Sequence, residues 1–122
     1  MRSNVDYELD DRLREEIIVV KDIISKLLFD SEIYLFGSIA KGKYNKNSDI
    51  DILILIEEEK TLKELRTLRH YIEDRIEELR LNNEVDIKIY NKNRYYNLTS
   101  EPSFEQAILK DLIDLKEWGN GK

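Results

Sequence analysis

The chain contains no cysteine, which excludes disulfides, thiolate nucleophiles and thiolate-ligated metals. Histidine occurs once, at position 70; a lone histidine without cysteine cannot build a zinc site, and it is given no role. No apolar run approaches the roughly 18 residues of a membrane span. The first residues, Met1 to Asp6, lack the apolar core of a signal peptide. A cytoplasmic protein is the expectation. There is no excess of positive charge either: 20 Lys and Arg face 26 Asp and Glu, a net charge of −6. Proteins that grip long nucleic acid present a basic face, so long nucleic acid is not an expected partner. Proline and methionine occur once each, beside an abundance of Lys, Glu and Ile, a balance that fits a thermophile or an A+T-rich genome.

What remains is a chain of 122 residues, 41% hydrophobic and 38% charged. That is enough for one soluble domain and too few for two, so residues 1–122 are read as a single domain without repeats or linkers. Leu9, Leu13, Ile17, Val20, Ile24 and Leu27 recur at spacings of three and four and predict an amphipathic helix over 6–28. Asp11, Arg14, Glu15, Lys21 and Asp22 mark its solvent face. Strands are expected at 32–36, 49–56 and 84–90. The second is apolar on both faces after Asp51, so it should be central and covered on both sides. Thr61 and Glu64 form a capping box for a helix reaching about residue 80, with Leu62, Leu65, Leu68, Ile72, Ile76 and Leu79 buried. The order strand, helix, strand predicts a crossover that sets the second and third strands parallel. Residues 91–100 read as a polar connection holding Tyr95 and Tyr96, both assigned to packing. Ser103 and Gln106 open a last helix, expected to run to Trp118 with Phe104, Ile108, Leu112 and Leu115 on one face and Gly119 as its stop. The expected class is α/β (α+β): a small mixed sheet of three or more strands with helices packed on it.

The centre of the chain is residues 32–55. A short apolar strand breaks at Gly37-Ser38; a polar stretch with Gly42, Lys41, Lys43 and Lys46 follows; Asp49 and Asp51 then open the most apolar segment. An unpaired carboxylate at such a place is costly to desolvate, and a divalent cation is the obvious partner. Alternate strand residues share a face and lie roughly 6 to 7 Å apart, so Asp49 and Asp51 can converge, and hard carboxylate oxygens suit Mg²⁺. In Glu84-Val-Asp-Ile-Lys-Ile-Tyr90, alternation puts Asp86, Lys88 and Tyr90 on one face, so Asp86 joins the pair if this strand lies beside the second. Gly37-Ser38 leads into a helical turn whose N–H groups and hydroxyl can cradle phosphate oxygens. Lys41 and Lys43 fit a nucleoside triphosphate better than a duplex, and Lys46 reads as solvated.

Gly37-Ser38, ten residues, Asp49-Ile-Asp51 and a later strand aspartate together resemble the nucleotidyltransferase superfamily of DNA polymerase β. The finer wording, Gly-Ser-Ile-Ala-Lys-Gly followed by Ser48-Asp-Ile-Asp-Ile-Leu, resembles the minimal nucleotidyltransferases (MNT) often encoded beside HEPN-domain partners. The resemblance spans roughly residues 10 to 118. It implies the nucleotidyltransferase fold, two Mg²⁺ ions, and transfer of AMP from ATP to a hydroxyl, typically a tyrosine of a HEPN-type partner, in an antitoxin role. It implies Asp49, Asp51 and Asp86 as metal ligands and catalytic carboxylates, with Asp86 on the attacking side, and Gly37, Ser38, Lys41 and Gly42 at the nucleotide. Lys41 stands where the family commonly has arginine; it keeps the charge but lacks the bidentate fork. A homo-oligomer is compatible with the sequence. Two other functions are weighed: a pseudoenzyme that neutralises its partner by contact alone, and transfer to a small molecule such as an aminoglycoside. The absence of a second substrate domain weighs against the latter.

Overall fold

The computed structural model describes residues 9–28 and 30–119. The expected start of the first helix at 6–8 lies outside them. Helix α1 spans Asp11–Leu27 and is capped by Asp10, whose carboxylate accepts from the Leu13 N–H at 3.3 Å. Strand β1 is Glu32–Phe36, α2 is the single turn Gly37–Ala40, and β2 is Ile50–Ile56. Helix α3, Leu62–Glu77, begins with the expected capping box: Thr61 and Glu64 exchange bonds of 3.1 and 2.8 Å. Strand β3 is Val85–Asn91, followed by α4 (Lys92–Leu98), α5 (Phe104–Leu109) and β4 (Ile113–Asp114).

The sheet is mixed, in the order β3-β2-β1-β4. β1 runs antiparallel to β2 and to β4, while β2 and β3 are parallel, as the crossover through α3 predicts. β2 is central, and every residue from Ile52 to Ile56 is buried. Alternation divides the sheet into two faces. On one, Ile33, Leu35, Ile50, Ile52, Ile54 and Ile87 pack against α1 and α3. On the other, Tyr34, Phe36, Leu53 and Leu55 pack against Tyr95 of α4 and Ile108 of α5. No helix among the described residues is long and apolar enough to cross a membrane.

Several expectations are corrected. Residues 92–98 form a helix rather than a polar connection, because Asn91 caps it through the Arg94 N–H (3.1 Å) and the wholly buried Tyr95 anchors it. The last helix ends at Leu109, not Trp118: Ile113 and Asp114 pair with β1, which offers their main chain a ladder. Gly119 therefore stops no helix; its φ of +81° lets the chain pass Ile18 where a Cβ would collide. Leu62, Leu79 and Leu27 are exposed rather than buried: Leu62 opens α3, Leu79 lies beyond its end, and Leu27 ends α1. Phe104 is exposed and lines a cleft. Lys21, read as solvent-facing, is buried and paired with Asp22 at 2.8 Å.

Candidate active site

The site lies where β2 and β3 begin, on the α4 and α5 face. Asp51 and Asp86 are direct partners in the parallel register, so their side chains project side by side on one face. Phe36, the last residue of β1, pairs with Asp51 from the other side. The next residue, Gly37, turns with φ +80° and lies against the Asp51 carboxylate. A Cβ there would overlap Asp51 Oδ2 and stand 2.9 Å from Cγ. Only glycine admits both the left-handed conformation and this approach. Asp49 stands exposed one residue ahead of β2.

Electrostatics join the three carboxylates. The Asp51 carboxyl is pushed up to about 6, first by burial and then by the charges of Asp86 and Asp49, with Lys88 opposing the rise. Asp86 is held by Lys88, whose Nζ is 3.6 Å from Oδ2. Among the described residues, no three carboxylates or histidines are gathered closely enough to hold a metal ion as they stand.

A cleft of about 430 Å³ opens over Asp51 and Asp86, with Gly37, Lys41 and Lys88 in its wall. Part of its lining is aromatic: Phe36 and Phe104 meet edge-on at 5.9 Å, and Lys88 Nζ sits 5.8 Å above the Phe104 ring. Ser38, Gly42 and Asp49 flank this cleft rather than line it. Ser38 is half-buried in the first turn of α2, as the sequence suggests. Gly42 takes φ +76° with open space around it, and its N–H donates to Ile39 O at 3.1 Å, closing the turn. Lys43 is tied back to Ser38 O at 3.0 Å, and Lys46 is exposed.

One positioning residue has no signal in the sequence. Asn83, buried in the turn before β3, donates through Nδ2 to Lys46 O (3.0 Å) and Ser48 O (2.7 Å), and accepts from Arg12 (2.9 Å). Glu16 of α1, also buried, accepts from the N–H groups of Asn82 (2.9 Å) and Asn83 (3.2 Å). Through Asn83, α1 thereby fixes the loop that delivers Asp49.

Residues 17–116 match the nucleotidyltransferase domain family. Two relatives, both provisionally named as protein adenylyltransferases, are similar to parts of the chain. MJ0141 of Methanocaldococcus jannaschii is 46% identical over 55 residues, which is 41% of this chain and 56% of the relative. MntA of Haemophilus influenzae is 46% identical over 44 residues, 36% of this chain and 39% of the relative. The matches thus span about half or less of those relatives' length. The mixed sheet with helices on both faces is the architecture expected of such a domain. By the extent of the family match, the chain belongs to the nucleotidyltransferase domain family.

Proposed function

We propose that the protein transfers AMP from ATP to a hydroxyl acceptor, with Mg²⁺ held by Asp49, Asp51 and Asp86. The observation that supports this most is the Asp51–Asp86 pairing beneath Gly37. The chemistry of the donor set fits the ion: Asp51 is driven toward protonation first by burial and then by the charges of Asp86 and Asp49. A divalent cation would relieve that repulsion and suits oxygen ligands. When bound, Mg²⁺ supplies charge stabilisation to the triphosphate and to the attacking oxygen.

The chain's own groups do the rest. The bare backbone of Gly37 lets a phosphate approach, and the Ser38 hydroxyl with the turn that follows holds β and γ oxygens. Lys41, from the cleft wall, balances the triphosphate charge. The acceptor oxygen bonds to the α-phosphorus as the bond from it to the β-phosphate oxygen breaks, and pyrophosphate leaves. The acceptor proton passes to Asp86, which sits on the open side of the pair. The acceptor we infer is a tyrosine of a HEPN-type partner, on the strength of the Gly37-to-Asp51 wording, with an antitoxin role. The test is label transfer from α-labelled ATP with Mg²⁺ to the co-expressed partner. Wild type should label it and Asp49→Asn/Asp51→Asn should not; equal labelling would sink the reading.

A further inference from the structure

β3 is an edge strand, and among the described residues its outer side is paired with no other strand. A second cleft, of about 330 Å³, straddles that edge toward its C-terminal end. Arg66 and Arg69 reach it from α3 on one face, and Arg94 from α4 on the other. Leu62, Ile89 and Leu98 form an apolar floor between them.

The cleft gathers three guanidinium groups, and among the described residues only Arg69 has a carboxylate near it, at 3.9 Å. Some cations of this acidic chain hold carboxylates closely: Lys92 holds Glu32 at 2.6 Å and Glu57 at 3.4 Å, and Arg75 holds Glu78 at 2.5 Å. Among the described residues neither Arg66 nor Arg94 forms an ion pair. The Arg69 Nε–H is buried without a hydrogen bond; Arg69 holds Glu73 only as a long ion pair of 3.9 Å, and its Nη2 lies 3.4 Å from His70 Nε2. The one carboxylate in the cleft, Glu105, already accepts from the Tyr90 hydroxyl at 2.6 Å. A buried unsatisfied donor is costly, and guanidinium forks match carboxylates bidentately.

We propose that this cleft docks an acidic, apolar-alternating segment of a partner polypeptide along the free edge of β3. Its carboxylates would meet Arg66, Arg69 and Arg94, and its apolar side chains the floor of Leu62, Ile89 and Leu98. An unpaired strand edge recognises extended main chain, while pockets for alternate side chains give specificity. The apolar floor favours polypeptide over nucleic acid, whose backbone offers nothing to bury there. Docking needs neither nucleotide nor metal, so its outcome is separate from that of AMP transfer.

Fluorescence anisotropy with the full chain tests it, using a labelled peptide of alternating glutamate and leucine. The expected result is saturable binding that weakens as salt rises. Affinity should fall about tenfold or more in Arg66→Glu/Arg94→Glu. A glutamine–leucine peptide should bind about tenfold more weakly than the acidic one. Lys26→Glu/Lys110→Glu, which carries the same net charge with both changes at exposed sites outside the cleft, should bind like wild type. If the charge reversal perturbs folding, Arg66→Gln/Arg94→Gln and amide shifts of Ile89, Tyr90 and Arg94 on titration give the same reading. Equal binding of the two peptides, or equal loss in both double variants, overturns the proposal. So does tighter binding of oligoadenylate or pyrophosphate at the arginines. Failure of the acidic peptide to bind also overturns it, leaving the arginines as guards against edge pairing.

Discussion

The two faces of the sheet share one backbone and serve opposite ends. Toward α1 and α3, β2 presents Ile50, Ile52, Ile54 and Ile56, all buried, and nothing charged. Toward α4 and α5 the same strand presents Leu53 and Leu55, then Asp51 at the mouth. Asp51 is flanked in sequence by two wholly buried isoleucines. Alternation is what permits this, since neighbours along a strand face opposite layers. The first face stabilises the fold by burying aliphatic surface. The second spends part of that stability on a carboxylate that burial and two like charges oppose. Substitutions on the two faces should therefore separate stability from activity.

The sharpest contrast is Asp51→Asn against Ile54→Ala. Asp51→Asn should cut AMP transfer by about 10³-fold or more, because it removes a shared ligand from the cluster. Its melting temperature in metal-free buffer should not fall. Ile54→Ala should lose about 2–5 kcal/mol in denaturant unfolding yet retain wild-type kcat while folded. Equal loss of stability in both variants would break the comparison.

Gly37→Ala tests the seam where the faces meet. The added methyl collides with Asp51, and the residue must hold φ +80°. Left-handed backbone costs a non-glycine residue about 1–2 kcal/mol, and displacing Asp51 should lower transfer by about 100-fold. Gly42→Ala shares the positive φ but has open space. It should show a smaller drop in melting temperature, and a smaller loss of transfer than Gly37→Ala.

The apolar face was also the legible one. Strands at 32–36, 49–56 and 84–90 follow from alternation and apolar runs, and the Thr61 cap from its box; the structure moves their ends by a residue or so. The Asp51–Asp86 adjacency was readable because a crossover helix long enough to return the chain forces a parallel neighbour. The layer over the site was not. α4 has one buried residue, Tyr95, and one buried side chain makes no periodicity. Leu112 and Leu115 have helical spacing with Ile108, but pairing of Ile113 and Asp114 with the edge of β1 decides their conformation. The bond from Asn83 to residues 46 and 48 spans more than thirty positions of sequence and leaves no local mark. Phe104, placed on the apolar face of the last helix, lines the cleft, which only the α5 placement reveals.

Asn83→Ala probes that hidden tie. Asn83 closes the Asp49 loop from behind without lining the cleft. Its removal leaves the Ser48 carbonyl and the Arg12 guanidinium without their bonds, a loss of about 1–3 kcal/mol in unfolding. The positioning role predicts a further sign: kcat should fall about tenfold and the Mg²⁺ requirement should rise, with the KM for ATP little changed. Asn83→Asp, which keeps the acceptor and loses the donor, should behave like alanine. A purely structural role would lower stability and leave the Mg²⁺ dependence alone.

The smallest effect is also the most direct reading of the charged face. In the metal-free protein the Asp51 carboxyl sits at about 6, above its ordinary value near 3.8. The folded state therefore holds a proton that the unfolded chain has already released. Between those two values, stability falls as pH rises, and above about 6 the folded state carries the full cost of the ionised group. Partial solvent access limits that cost to the order of 1–2 kcal/mol. Scanning calorimetry of metal-free protein should show a melting temperature a few degrees lower at neutral pH than below the Asp51 transition, once other titrations are subtracted with Asp51→Asn. Adding Mg²⁺ at neutral pH should restore those degrees in wild type and far less in Asp51→Asn, since the ion offsets a repulsion that the variant no longer has. If wild type and variant trace the same curve, the carboxylates do not press on one another, and the case for a cation among them loses its physical basis.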